Sequence, residues 1–235
     1  MTHRSYGGNE LEIFAQAARW KRYVRRQILP FLGRRVLEVG AGIGGTTRVF
    51  AHGVFDEWLC LEPDAALADG VRELIARGEL PGHCRVEVGT VAEIGPGTYD
   101  TVLYMDVLEH IERDAEELRV AATRLSPAGA VVVLSPAHQS LYTPFDKAIG
   151  HFRRYSRTSL AGLSPPGLEL VRLRYLDSVG LLASLSNALL LRQAMPTMRQ
   201  VAFWDRVLVP ASTVVDPLTG YRLGKSVLAV WRRPR

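Results

Sequence analysis

The chain has 235 residues, 47% of them hydrophobic and 23% charged, with a net charge of +5. That length and balance suit one large domain, or one with a sizeable insertion, with a full core, and exclude a disordered chain. All but three of its 29 basic residues are arginine, spread in pairs such as Arg25-Arg26, Arg153-Arg154 and Arg232-Arg233, which reads as solvated charge rather than a nucleic-acid-binding arm.

Asn9 followed by Glu12 predicts a capped helix start. Leu11, Phe14, Ala15, Ala18, Trp20, Val24 and Ile28 then extend one helix to Pro30. Arg35 to Val39 reads as a buried strand running into the turn Gly40-Ala41-Gly42-Ile43-Gly44-Gly45, with a helix beginning at Thr46. A strand over Glu57–Leu61 ends in Glu62, and Pro63-Asp64 opens a helix with Leu67, Val71, Leu74 and Ile75 on one face. Strands follow over Cys84–Val88, ending at Gly89-Thr90, and over Tyr99–Tyr104, ending at Met105-Asp106. The next helix carries Leu118, Ala121, Ala122 and Leu125, and Ser126-Pro127-Ala128-Gly129 breaks it before the apolar strand Ala130–Leu134. Continuous apolar strands alternating with helices predict an α/β, Rossmann-like parallel sheet flanked by helices.

Beyond residue 137 the alternation stops. Strands are expected over Leu168–Tyr175 and Ser226–Trp231, and an interval of roughly fifty residues is too long for a plain connection. It holds two apolar stretches, Val179–Leu191 and Val201–Val209, separated by Met195-Pro196, and is read as a helical insertion between the last two strands. One domain is expected, with a lid helix (1–30), a binding core (31–136), a substrate-side loop and helical cap (137–225) and a final strand (226–235).

The run Val179–Leu191 is interrupted by Ser184, Ser186 and Asn187 and is too short to span a bilayer. Peripheral membrane contact or pairing of two chains through the insertion is compatible with its exposed faces. Cys60 and Cys84 have no C-x-x-C or metal spacing, and the first residues carry no basic-then-apolar leader pattern. Reduced thiols, no resident metal and a cytoplasmic location are the expectation.

Open parallel sheets bind ligands beyond the carboxyl ends of their strands, where strand order reverses. The residues there are Glu38 to Gly44, Glu62, Gly89-Thr90-Val91, Asp106 to His110 and Ser135 to His138. Glycines let a ligand approach the main chain and the following helix N-terminus. Gly40, Gly42 and Gly45 fit the G-x-G-x-x-G of dinucleotide folds. Glu38, Gly40, Gly42 and Gly44 equally fit the acidic-x-G-x-G-x-G of S-adenosylmethionine (SAM) methyltransferases. Glu62, 22 residues after Gly40, suits the ribose hydroxyls of either cofactor.

Taken together, Leu37–Gly44, Leu61–Asp64, Tyr99-Asp100, Asp106–Ile111 and Leu125–Gly129 resemble the ordered motifs of class I SAM-dependent methyltransferases over residues 35–136. Dinucleotide dehydrogenases have no counterpart to Asp106-Val107-Leu108-Glu109-His110-Ile111. The resemblance implies that Glu38, Gly40, Gly42 and Gly44 hold the methionine end of SAM and that Glu62 with Pro63 holds the ribose. It places Thr90 and Val91 at the adenine, Met105, Asp106 and Val107 under the sulfonium, and Trp20 and Lys21 in an N-terminal lid. Ala128-Gly129 departs from the usual glycine pair.

The segments Tyr142-x-Pro144-Phe145-Asp146 and Gly150–Ser156 are similar to those of bacterial methyltransferases linked with sugar-containing natural products, including aminosugar N-methyltransferases of the streptomycin-pathway type. They imply N-methylation of a small sugar-like or antibiotic-pathway substrate, with O-methylation as the alternative. Nucleic-acid methylation and non-catalytic SAM binding are the readings of another class, and the lack of an N/D-P-P-Y motif after the fourth strand counts against base N-methylation. His151 is the first candidate for the base that removes the acceptor proton, with Asp106 and Asp146 as alternatives. Tyr142, Tyr155 and Arg154 are expected to face the acceptor.

Overall fold

A computed structural model describes residues 10–95, 97–186 and 197–234. Its strands are β1 (Arg35–Val39), β2 (Glu57–Glu62), β3 (Cys84–Val88), β4 (Tyr99–Met105), β5 (Leu125–Pro136), β6 (Glu169–Leu176) and β7 (Ser226–Arg232), in the order β3-β2-β1-β4-β5-β7-β6. The five strands β1 to β5 pair in parallel, whereas β7 is antiparallel to both β5 and β6. The expected parallel sheet is therefore mixed at one edge. Leu176 at the end of β6 pairs with Ser226 at the start of β7, so the insertion is the tip of a hairpin, and a hairpin returns antiparallel without crossing the sheet.

Alternation along each strand divides the core between the two sheet faces. Val36, Trp58, Cys60, Leu103, Val132 and Val230 pack with Tyr23, Val24 and Ile28 on one side. Leu37, Leu59, Val102, Tyr104, Val131 and Trp231 pack with Leu118 and Ala121 on the other. Each large side chain buried this way contributes about 1.5–3 kcal/mol, whereas exposed ion pairs such as Arg77–Glu73 contribute about 1 kcal/mol at most. The two apolar faces hold the domain together.

The predicted first helix is two helices, α1 (Glu10–Ala15) and α2 (Ala18–Ile28). The Lys21 amine takes the carbonyls of Phe14 (2.5 Å) and Ala15 (3.5 Å), diverting acceptors that a continuous helix would use, and Ala17 is buried at the break. The break lays α1 over the glycine turn. A methyl group on Gly42 would lie 3.8 Å from Leu11, and one on Gly45 would lie 3.2 Å from Ala15.

Next come α3 (Thr47–Phe50), α4 (Ala65–Ala76), α5 (Asp114–Thr123), α6 (Pro144–Ala148) and α7 (Arg157–Ala161). The expected break at 126–129 falls inside β5, as a register shift opposite Tyr99 and Thr101. Ala128 takes the positive φ there (+60°), while Gly129 is needed because a Cβ would meet the Ser126 carbonyl oxygen at 2.9 Å.

The insertion comprises α8 (Ser178–Ser186), α9 (Met198–Phe203), a π-helical turn (Trp204–Leu208) and α10 (Val209–Leu218). Its second apolar stretch thus runs further than the sequence pattern predicts. The Asn9 cap, the Asn187–Leu191 end of the first stretch and the Met195-Pro196 break lie outside the described residues.

Polar side chains tie the insertion to α2. Asp205 accepts the backbone N–H groups of Trp20 (2.8 Å) and Arg19 (3.2 Å), and Asp216 accepts the Tyr23 hydroxyl (2.7 Å). Among the described residues no helix is long and apolar enough to cross a membrane.

Candidate active site

The cofactor side is built on the end of β1 and the turn after it. Glu38 is buried, and one of its oxygens accepts the Thr47 hydroxyl (2.8 Å) and the Trp58 indole N–H (2.7 Å). Burial pushes its pKa up to about 7, with those two donors limiting the rise. Gly40 has φ +68°, and a Cβ there would approach Val107 Cγ2 to 2.7 Å, so the turn can sit against the β4 loop only as glycine.

Glu62 is also buried and straps the turn to α4. One oxygen accepts the Gly42 N–H (2.8 Å) and the other the Asp64 N–H (3.0 Å). Each carboxylate oxygen has a second lone pair, which suits it to a ribose hydroxyl. Pro63 beside it is exposed.

The other expected cofactor residues divide. Thr90 is exposed, but its N–H and hydroxyl both go to Glu93 (2.9 and 2.8 Å), while the Val91 side chain is buried in the core. Neither side chain stands free for a ligand at these two positions. The Trp20 ring packs 5.7 Å from Trp204 and 6.0 Å from Tyr23 and is 7% exposed, so it serves the junction of α2 with the insertion rather than a lid. Lys21 turns its amine back to the Phe14 and Ala15 carbonyls. Burial lowers its pKa to about 8, against the charges of Asp106, Asp205 and Glu38.

The acceptor side begins at Asp106, where β4 ends in a positive φ of +57° that aspartate tolerates better than most residues. Met105 and Val107 flank it, half-buried. Asp106 is exposed as a residue, while the chain around its carboxyl group leaves that group poorly hydrated. This raises its pKa against the charges of Lys21, His151 and Lys225.

Deeper in, Glu109 is fully buried and neither of its oxygens has a hydrogen-bond partner. Burial and then the Asp106 charge push its pKa well up; Ser135 and its own amide favour the charged form without reaching hydrogen-bond geometry. The rings of His110 and His151 meet edge-on at 4.5 Å. Burial, and then His151, lower the His110 pKa to about 3.

Asp146 is a hub rather than a base. It is fully buried and accepts the Thr143 N–H (2.8 Å) and hydroxyl (2.9 Å), His151 Nδ1 (2.9 Å), and Arg154 Nε (2.8 Å) and Nη2 (2.9 Å). Burial alone would raise its pKa, but the His151 and Arg154 donors outweigh burial and hold it well below the usual carboxylate range. A carboxylate so held does not take a proton at neutral pH. It orients His151, whose Nε2 then faces Glu109 Oε1 at 3.9 Å.

Two substrate assignments change as well. The Tyr155 main chain bridges to Ala137, turning its side chain inward, where it is 2% exposed and its hydroxyl donates to Asp114 (2.7 Å). It belongs to the core. Arg154 is committed to Asp146, and Tyr142, half-buried, donates to the His151 carbonyl (2.6 Å). Both shape the wall that carries His151.

Tyr155→Phe removes a hydrogen bond to a charged group, a loss of about 2 kcal/mol. The expected result is a melting temperature lower by roughly 4–8 °C with S-adenosylhomocysteine (SAH) affinity unchanged. A variant with wild-type stability and weakened turnover would return Tyr155 to the pocket.

Sequence reasoning missed Lys225. Just before β7, its amine lies 3.6 Å from Asp177 and 3.6 Å from the Trp204 ring; burial lowers its pKa against the Asp177 and Asp106 charges. The only signal was its being one of three lysines in an arginine-rich chain. Thr47 and Trp58, which hold Glu38, also read as ordinary helix and strand residues.

A family model described as a methyltransferase domain matches residues 13–164. Among curated relatives, norajmaline N-methyltransferase of Rauvolfia serpentina is 28% identical over 113 residues, 46% of this chain and 38% of the relative. Ubiquinone biosynthesis O-methyltransferase of Caulobacter sp. is 28% identical over 104 residues, 44% and 41% of the two chains. The match thus spans less than half the length of either relative. Coclaurine N-methyltransferase, solved with N-methylheliamine and SAH, shares the fold with a TM-score of 0.63 at 14% identity, over 92% of this chain and 72% of that one. Because the family match covers well over half of the sequence, the choice left open by the glycine pattern is resolved: the chain belongs to the methyltransferase-domain family, and S-adenosylmethionine rather than a dinucleotide is its cofactor.

Proposed function

We propose that the chain transfers a methyl group from SAM to an amine or hydroxyl of a small, polar, sugar-like molecule. The observation that carries this reading is the exposed Asp106 at the carboxyl end of β4, within electrostatic reach both of Lys21 and of His151 in the Glu109–His110–His151 cluster. SAM, when bound, supplies an activated methyl and its leaving group. The chain's own task is to align the acceptor, exclude water and receive the acceptor's proton.

The amine reading is favoured by Asp106, a carboxylate suited to a protonated amine, by the similarity to an N-methyltransferase, and by the resemblance of the Tyr142–Ser156 segments. The hydroxyl reading is favoured by the histidine–carboxylate wall and by the ubiquinone O-methyltransferase relatives. A nucleic-acid acceptor is disfavoured. Arg153 and Arg154 are bound to Asp114 and Asp146, and the cleft presents carboxylates that would repel phosphates.

Pools of aminosugars, hydroxylated sugars and RNA incubated with methyl-labelled SAM separate these acceptors. Label on RNA, or SAH binding with no label on any pool, would overturn the proposed substrate class. Asp106→Asn is expected to lower kcat about 100-fold with SAH affinity retained.

The cofactor end has its own pH signature. If Glu38 faces the methionine ammonium, binding requires it ionised, and its unliganded pKa of about 7 falls on binding. Affinity is then full above that pKa and lost as pH drops through it. The SAH Kd is expected to rise about tenfold from pH 8 to pH 6, and Glu38→Gln to flatten the profile. A flat wild-type profile would remove the ammonium from Glu38.

A further inference from the structure

We propose that Glu109, His110 and His151 form a site for one divalent transition-metal cation at the acceptor end of the cleft. One donor atom from each lies within 4.8 Å of the others. Bonds of about 2.0–2.2 Å to nitrogen and oxygen ask those atoms to close by about 1 Å, within the reach of side-chain rotation.

Glu109 supplies an independent observation. It is fully exposed to neither solvent nor donors: its relative exposure is 0% and both oxygens lack hydrogen-bond partners. A carboxylate buried in this way is costly unless something pairs with it. The side chain on its acceptor face is His151, with Nε2 3.9 Å from Glu109 Oε1.

The orientation of His151 is what a metal ligand needs. Its Nδ1 donates to Asp146 at 2.9 Å, and Asp146 is itself fixed by Thr143 and Arg154. This leaves the Nε2 lone pair directed at Glu109. A carboxylate behind a ligating imidazole fixes its tautomer and raises its basicity. Ser135, Asp106 and the Arg154 guanidinium, itself bonded to Asp146, are the other groups acting on Glu109.

Two imidazoles and one carboxylate suit Zn2+, Mn2+ or Fe2+ rather than Mg2+ or Ca2+, which prefer oxygen donors. Three protein ligands leave a position open for an acceptor oxygen. The role of the site therefore rests on the methyltransferase reading and, within it, on a hydroxyl acceptor; the binding itself does not.

The test uses the full chain, stripped with chelator and titrated calorimetrically with Zn2+ and with Mn2+, with SAH titrated into the same samples. One equivalent of cation is expected, with affinity reduced at least about 100-fold in Glu109→Gln and in His151→Gln. Glu109→Gln replaces a buried carboxyl that has no hydrogen-bond partner with a neutral group of the same shape, so its metal-free form should melt no lower than wild type, separating lost ligation from lost folding. SAH affinity should persist in both variants. No stoichiometric binding of either cation to chain that binds SAH, or binding indifferent to both substitutions, would overturn the site. Stoichiometric cation binding without SAH binding would support the site and count against the methyltransferase reading.

Discussion

Gly40→Ala is expected to lower SAH affinity by at least about 100-fold, close to 3 kcal/mol. Two costs combine. An alanine at φ +68° carries about 1–2 kcal/mol of backbone strain, and its Cβ would press on Val107 at 2.7 and 3.0 Å. Val107 adjoins Asp106, so the clash displaces both the cradle and the cleft floor. Gly78→Ala is the matched control: its φ is +71°, but nothing lies within 4 Å of the added methyl, so strain acts there without the clash. Calorimetry on both variants separates the costs, and a Gly40→Ala chain that binds SAH within a few-fold of wild type would show that the turn does not cradle the cofactor.

Asp146→Ala is expected to be the most destabilising single change in the acceptor wall. It leaves the Arg154 guanidinium without its two bonds, at 16% side-chain exposure, and frees the His151 ring. Breaking a buried ion pair from one side costs about 3–5 kcal/mol, or roughly 6–20 °C in melting temperature for a domain of this size. Below its melting point the variant should still bind SAH, because Asp146 touches none of the cradle residues, while methyl transfer is lost with the orientation of His151. A melting temperature within two degrees or so of wild type would mean that Asp146 is not the hub.

The first four strands were legible almost to the residue, since Val36–Val39, Trp58–Leu61 and Val102–Tyr104 are apolar runs bounded by glycine, proline and acidic residues. The errors arise where a side chain's partner is set by three-dimensional packing rather than by helical or strand periodicity. One N-terminal helix became two because Lys21 reaches back to the carbonyls of Phe14 and Ala15. Tyr155 moved from pocket to core because Ala137 pairs with its main chain and Asp114, 41 residues away, accepts its hydroxyl. Asp146 was read as an alternative base because its type suits one, although its donors Thr143, His151 and Arg154 all lie within eight residues of it; what periodicity does not show is that the loop folds all three onto one carboxylate.

What the sequence determined by itself is therefore the strand-and-turn grammar of the cofactor half: buried runs ending in Glu38 and Glu62, and glycines at Gly40, Gly42 and Gly44 whose positive φ only that residue adopts cheaply. Those effects act within a few residues, so they can be read from neighbours. Tertiary structure alone decided the antiparallel direction of β7, the approach of Lys225 to Asp106, and the assembly of Glu109, His110, Asp146, His151 and Arg154 into one wall. Charge and hydrogen bonding act through space, and the fold brings those groups together from segments that carry no local mark of one another.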